Sequence, residues 1–223
     1  MLRTHTPHLW AILFRLMLLY LDMSGSYDRK DQLYRRAKSE GYRSRAAFKL
    51  KELNSRFHFI KPGARVFDLG AWPGGWLQVA AQCAGPHGVV VGIDLVEIEN
   101  PGASNIKIIT GDAREEENIN RALQLSSGPF DAVLSDMSAK LTGIKEADEA
   151  ASVGCAELAL WVAGRVLKED GALVIKVFKN GGIEAFVKSM RPLFNKVTRC
   201  ELDSSRKTSK EFYLAGIGYK GPV

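Results

Sequence analysis

From Ala64 onward, short runs of consecutive apolar and β-branched residues alternate with longer stretches whose apolar positions recur every three or four residues. Arg65–Leu69, Val89–Asp94, Ile106–Thr110, Phe130–Ser135 and Ala172–Val177 predict strands. Trp76–Ala84, Arg114–Leu125, Ala147–Leu167 and Ile183–Leu193 predict helices. Strands without polar alternation are buried on both faces, and helices between them predict an α/β domain with a mostly parallel sheet. Pro62-Gly63 and Glu169-Asp170-Gly171 read as turns placed just before strands. Near the C-terminus, Lys196–Glu201 and Phe212–Tyr219 are strand-like and only a polar loop separates them. That pair is expected to close one sheet edge with an antiparallel strand. No repeat, low-complexity stretch or linker interrupts residues 61–223, so they are expected to form one catalytic-size domain.

Two segments precede it. In residues 1–23, Leu9 to Leu21 is apolar apart from Arg15. The run is too short to span a bilayer. It lacks a cleavage signal. It reads as a dispensable extension with a start at Met23, as an amphipathic helix packed on the domain, or as a targeting segment. Residues 24–60 carry Arg29, Lys30, Arg35, Arg36, Lys38, Arg43, Arg45, Lys49, Lys51 and Arg56, against Asp28, Asp31, Glu40 and Glu52. Tyr27, Tyr34 and Tyr42 interleave them, and Lys196, Arg199, Arg206, Lys207 and Lys210 form a second basic cluster. Phosphate neutralisation with aromatic stacking has this composition, and so does a solvated helix face. The net charge of +6 agrees with a polyanionic partner.

The remaining composition narrows the class. Charged residues make up 25% of the chain, as in a globular protein rather than a disordered one. Cys83, Cys155 and Cys200 lie far apart, which excludes a disulfide scaffold and points to a reducing compartment. They read as small apolar side chains, and His58 and His87 as surface or turn residues. No metal-ligand spacing is present, so no metal is expected.

The sharpest local feature is Asp68-Leu69-Gly70-Ala71-Trp72-Pro73-Gly74-Gly75-Trp76, which follows the first strand and opens a helix. Ligands of open α/β sheets bind at the carboxyl ends of such strands, and helix N-termini attract carboxylate or phosphate. Asp94, Asp112 and Asp136 follow the next three strands. Each acid alone reads equally well as a cap. Together with the loop they suit S-adenosylmethionine, whose carboxylate, ribose diol and adenine amino group want these partners. A dinucleotide site fits poorly, because it wants G-x-G-x-x-G and the loop reads G-A-W-P-G-G.

These residues resemble the FtsJ/RrmJ family of S-adenosylmethionine-dependent RNA ribose 2'-O-methyltransferases. The resemblance runs from about Tyr34 to Gly221. It includes Tyr42 to Leu50 (YRSRAAFKL), the Asp68–Trp76 loop, Ser135-Asp136-Met137, Val174 to Phe178 (VIKVF), Ser204-Ser205-Arg206 and Ser209-Lys210-Glu211. It implies a Rossmann-like seven-stranded sheet with helices on both faces. It places a catalytic lysine–aspartate–lysine–glutamate set on Lys49, Asp136, Lys176 and Glu211. The implied cofactor site comprises Gly74, Trp76, Asp94, Asp112 and Asp136. Ser138-Ala139-Lys140 stands where the family often has Ala-Pro-Asn, and Trp72 where a small residue is common.

The chemistry suits these types. Methyl transfer is an in-line displacement in which a ribose hydroxyl must lose its proton. A lysine accepts that proton only when neutral, a form favoured by burial and nearby cations and opposed by nearby acids. Lys176, inside an otherwise apolar strand, is the expected base. Lys49, Asp136 and Glu211 are expected to orient it and the acceptor ribose; positioning alone would also give rate. The expectation is a cytoplasmic, monomeric enzyme that methylates a uridine of large-subunit ribosomal RNA, met as RNA or within the large ribosomal subunit, with no membrane partner. A tRNA ribose methyltransferase and a non-catalytic ribosome assembly factor are the alternatives.

Overall fold

Phe67 and Leu69 pack into one apolar cluster, whereas Val66, one position along, packs into another. The period-two pleat of a strand forces this split, and it organises the whole molecule into three layers. The computed structural model describes residues 32–139, 142–205 and 209–221. The apolar extension 1–23, Tyr27, Arg29, Lys30, Lys140, Arg206 and Lys207 lie outside the described residues.

Among the described residues two helices come first, α1 (Gln32–Ser39) and α2 (Ala46–Phe57). Then follow β1 (Arg65–Leu69), α3 (Gly75–Ala84), β2 (Val89–Asp94), β3 (Ile106–Thr110), α4 (Glu116–Ser126) and β4 (Phe130–Ser135). The chain ends with α5 (Lys145–Val166), β5 (Leu167–Phe178), α6 (Ile183–Met190), β6 (Phe194–Cys200) and β7 (Glu211–Tyr219). The seven strands form one sheet in the order β3-β2-β1-β4-β5-β7-β6. Neighbours from β3 to β5 are parallel, and β7 runs antiparallel to both β5 and β6. The C-terminal pair therefore closes the edge as expected, with β7 inserted between β5 and the edge strand β6.

Ile119, Ala159, Val162 and Phe186 bring α4, α5 and α6 onto one face of the sheet. Leu50, Leu53, Leu77 and Ala80 bring α2 and α3 onto the other. β1 sits centrally between β2 and β4, so the strand order reverses there, and a crevice opens at the carboxyl ends of these strands.

Several element ends differ from the sequence reading by a few residues, and two of them have a visible local cause. Leu167 pairs with Phe130, so β5 begins five residues before Ala172, and Glu169-Asp170-Gly171 lies inside the strand instead of before it. The register shifts between Phe130 and Ala132, and Asp170 has φ 60°. The turn residues thus make a bulge-like irregularity rather than a break. α4 starts at Glu116, because the Asp112 carboxylate accepts the Arg114 N–H and holds that stretch in a turn.

Candidate active site

The loop after β1 folds back on the sheet. The N–H groups of Gly70 and Ala71 both donate to the Ile93 carbonyl, at 3.0 and 3.1 Å. Gly70 has φ 72°, and a Cβ there would stand 2.5 Å from Met137 Cγ, so a larger residue would push the β4 loop away. Gly74 caps α3 with φ 107°, and its free face lies against Pro101 and Arg43. A cis peptide joins Trp72 to Pro73, and Trp72 is 57% exposed.

The acids differ in how they are held. Asp94 accepts the N–H groups of Trp72 and Val96, both at 2.9 Å, and so ties the loop to the end of β2. Asp112 is engaged by its neighbour Arg114, whose guanidinium holds the carboxyl below its usual range. Trp76 is buried, and its indole N–H donates to the Ala46 carbonyl at 2.8 Å, locking α3 to α2. The Trp76 indole therefore faces the α2 interface. Its backbone amide in the first turn of α3 is the part of Trp76 left for a ligand.

Asp68 stands in the loop motif, where the sequence alone assigns it no role. Its carboxylate is fully buried, and neither oxygen has a hydrogen-bond partner. Burial pushes its carboxyl well above the ordinary range, and the charges of Asp136 and Asp94 push in the same direction. An orphaned buried acid between two others fits a ligand that brings a cationic centre. S-adenosylmethionine carries an ammonium and a sulfonium, so the residues present fit it.

Toward β5 the crevice holds two lysines. Lys176, on β5, is 9% exposed and Lys49, on α2, is 6% exposed. Lys176 Nζ lies 3.2 Å from Asp136 Oδ1 and donates to the Asp136 main-chain carbonyl at 2.6 Å. Lys49 Nζ lies 2.5 Å from Glu211 Oε1, which also accepts the Ser205 hydroxyl at 2.7 Å. Burial acts to raise the Glu211 carboxyl, but Lys49, Ser205 and Lys176 outweigh it and hold it low. Between the pairs stands Tyr213, whose hydroxyl donates to Asp136 Oδ1 at 2.7 Å. Its ring lies 5.8 Å from Lys49 Nζ, and burial, then Asp136, pushes its phenol well above the usual value.

The structure thus brings Lys49, Asp136, Lys176 and Glu211 together. The sequence reading missed Tyr213; its one signal is the i+2 spacing from Glu211, which puts both on one face of β7. It also missed Glu52. This α2 acid accepts the N–H groups of Asp203 and Ser204 and the Ser204 hydroxyl, and so fastens the loop leading to Glu211.

Several residues read as phosphate or stacking groups have protein partners. Arg43 donates to the carbonyls of Pro73, Glu99 and Asn100. Arg36 and Lys51 both pair with Glu40. The Tyr42 hydroxyl donates to Gln82 Oε1 at 2.7 Å. His58 is the left-handed C-cap of α2, and His87 is exposed. Cys200 is buried, and Cys83 and Cys155 are half-buried. Among the described residues, no group of His, Cys, Asp and Glu is arranged to hold a metal, and no helix is long and apolar enough to cross a membrane.

The model of the FtsJ-like methyltransferases matches residues 42–219, which hold the glycine loop, Asp68, Asp94, Asp112 and the Lys49, Asp136, Lys176 and Glu211 set. The chain belongs to the FtsJ-like methyltransferase family. It is an S-adenosylmethionine-dependent methyltransferase. A protein named ribosomal RNA large subunit methyltransferase E from Methanothrix thermoacetophila is 42% identical to it over 189 residues, 85% of this chain and 72% of that protein. One of the same name from Methanothermobacter thermautotrophicus is 41% identical over 193 residues, 86% of this chain and 92% of that protein. Among solved structures, a ribosomal RNA methyltransferase from Plasmodium falciparum shares the fold with a TM-score of 0.71 at 24% identity, covering 81% of this chain and 100% of that one. Aeropyrum pernix fibrillarin, solved with S-adenosyl-L-methionine bound, has a TM-score of 0.51 at 15% identity, covering 71% of this chain and 68% of that one.

Proposed function

We propose that this methyltransferase methylates the ribose 2'-hydroxyl of a uridine in large-subunit ribosomal RNA. The observation that carries this reading is the pairing of two buried lysines with two carboxylates around Tyr213, at strand ends beside the glycine loop. The names of relatives about 41% identical support the substrate.

When bound, S-adenosylmethionine supplies an electrophilic methyl on a sulfonium. In our reading, the amides of Gly75 and Trp76 at the start of α3 take its carboxylate, while the Gly74 N–H is donated to the Ala71 carbonyl at 2.7 Å and Gly74 shapes the loop around it. Asp68 and Asp136 face its cationic end. Asp94 accepts from the ribose diol. Asp112 accepts from the adenine amino group once Arg114 shares it. Lys176, in its neutral form, would take the 2'-hydroxyl proton at Nζ as that oxygen gains the methyl, whose bond to sulfur breaks to leave a neutral thioether. Asp136 and Tyr213 hold Lys176 in place, and the Lys49–Glu211 pair holds the ribose. Residues 61–223 form the catalytic unit, residues 24–60 add the RNA-facing basic surface, and residues 1–23 are an accessory extension. The enzyme acts as a cytoplasmic monomer.

The test uses purified protein, labelled cofactor and unmodified transcripts of large-subunit RNA, small-subunit RNA and tRNA. Label is expected in large-subunit RNA, at one alkali-resistant 2'-O-methyl linkage. Label on a base, or in tRNA alone, contradicts the reading.

A further inference from the structure

At the end of β5, beside Lys176, lies a cavity of about 380 Å³ bounded by Ala139 after β4 and by the start of α5. Phe178 and Ala139 give it an apolar wall. The Phe178 ring centroid lies 5.9 Å from Lys176 Nζ, so the cavity adjoins the proton-accepting group. Its charged lining is of two kinds. The acids are Asp148 and Glu149, and the Asp148 carboxylate is turned to its own loop, where it accepts the Thr142 N–H and hydroxyl and the Gly143 N–H. The lysines are Lys145, Lys179 and Lys210. Lys179 pairs with Glu201 at 2.6 Å, whereas Lys145 and Lys210 have no ion pair among the described residues. Lys145 is also the first residue of α5, at the positive end of the helix dipole, where a cation is disfavoured and an anion favoured.

The depth of the site limits how an RNA can reach it. Lys176 is 9% exposed and Lys49 is 6% exposed, both sunk in the crevice. In an A-form helix the 2'-hydroxyl lies on a wide, shallow groove, and its base is stacked between two neighbours. Lowering that hydroxyl onto a sunken lysine would drive the neighbouring nucleotides into the protein. A single nucleotide turned out of the stack meets no such obstacle. Turning it out costs the stacking of its base, unless the protein offers another surface to stack on.

We propose that the acceptor nucleotide is turned out of its stack and that this cavity takes its base, face against Phe178. The inference rests on the 2'-O-methylation reading and adds how the acceptor is presented. The 2'-hydroxyl and the base are attached to adjacent ribose carbons. A hydroxyl hydrogen-bonded to Lys176 Nζ therefore carries its own base to ring-stacking distance of Phe178. Lys145 and Lys210 suit the phosphates on either side of an extruded nucleotide. Every base has a face that stacks on an aromatic ring, so this wall requires a base and leaves its identity to other contacts.

The experiment compares large-subunit RNAs, assembled by splinted ligation, whose mapped acceptor nucleotide carries its base or none. The abasic nucleotide keeps its 2'-hydroxyl. The wild-type enzyme should favour the intact acceptor in kcat/KM by about tenfold, within the range for stacking one base on an aromatic ring. Phe178→Ala should lose about that factor on the intact acceptor and nothing on the abasic one. Phe178→Trp keeps an aromatic face and should keep the preference. Cofactor affinity should stay the same in both variants, which also reports that they are folded. A third RNA pairs the acceptor within a continuous helix, and the wild-type enzyme should methylate it more slowly than the unpaired one. Equal losses on both acceptors in Phe178→Ala, or an abasic acceptor as good as the intact one, overturn the base assignment and leave 2'-O-methylation standing. A paired acceptor as good as the unpaired one overturns the extrusion. Methylation of none of these RNAs by the wild-type enzyme overturns the 2'-O-methylation reading as well.

Discussion

The Lys176 ammonium reaches the carboxylate of Asp136 at 3.2 Å and that residue's own main-chain carbonyl at 2.6 Å. One residue thus holds the lysine from two sides, across adjacent parallel strands. The Tyr213 hydroxyl donates to the same carboxylate oxygen and fixes it from β7. A side chain gripped this way loses little freedom when a substrate arrives, and that is what positioning in catalysis requires.

Asp68 gives a prediction on stability. In the unfolded chain its carboxyl ionises near the ordinary aspartate value of about 3.9. In the fold, burial first and then Asp136 and Asp94 push it well above that. Between those two values the folded state holds the extra proton, so stability falls as pH rises through that window. Asp68→Asn removes the charge and keeps the shape. It should make the ligand-free protein more stable at neutral pH, because the buried negative charge is gone while the side chain stays as unpaired as before, and it should flatten the pH dependence. Cofactor binding should weaken. Urea unfolding from pH 4 upward and calorimetry check both. A less stable variant at neutral pH would show that Asp68 has a partner in the free protein.

Arg43 lies in the basic segment, yet its guanidinium donates to the loops on both sides of Gly74. Arg43→Ala should lower S-adenosylmethionine affinity by about tenfold, near 1.4 kcal/mol. The salt dependence of RNA binding should not change. Unaltered cofactor affinity with a shallower salt slope would return Arg43 to the phosphate-contacting residues.

Lys38 is exposed, and Arg36 is held by a surface pair with Glu40, a type of contact worth little, and by the Phe48 ring, whose centroid lies 4.8 Å from the guanidinium carbon. Both can turn to phosphates. Replacing both with glutamine should lower the slope of log affinity against log salt by about 0.7–0.9 for each phosphate no longer neutralised. Cofactor affinity should stay the same. Filter binding across a salt series reads the slope, and an unchanged slope makes these side chains a solvated face.

The sequence makes β1 to β4 legible to the residue: β1, β2 and β4 are apolar runs buried on both faces with few alternative registers, and the edge strand β3 shows in its run of isoleucines even though Lys107 and Thr110 are exposed. β5 reads five residues short, because Asp170 and Gly171 carry the signature of a turn whether they end a strand or kink one. Lys49, Asp136, Lys176 and Glu211 are visible as residue types in motifs, and the fold brings them together. What joins them is hidden. Tyr213 meets Asp136 across 77 positions, and Arg43 meets the Glu99 carbonyl across 56. Composition shows a basic residue or an aromatic one, and only tertiary packing decides whether it faces a phosphate or a carbonyl. Trp76 reads with the cofactor residues for the same reason; its place in a glycine loop says nothing about the Ala46 carbonyl that takes its indole N–H.

Single-turnover methylation by Lys176→Ala tests the central claim most directly. A base that acts only during transfer contributes to rate, so the rate should fall by about 10²–10⁴ while S-adenosylmethionine affinity changes little. Lys176→Arg should not restore it, because a guanidinium keeps its proton. Full activity in the alanine variant, or rescue by arginine, would contradict proton acceptance by Lys176.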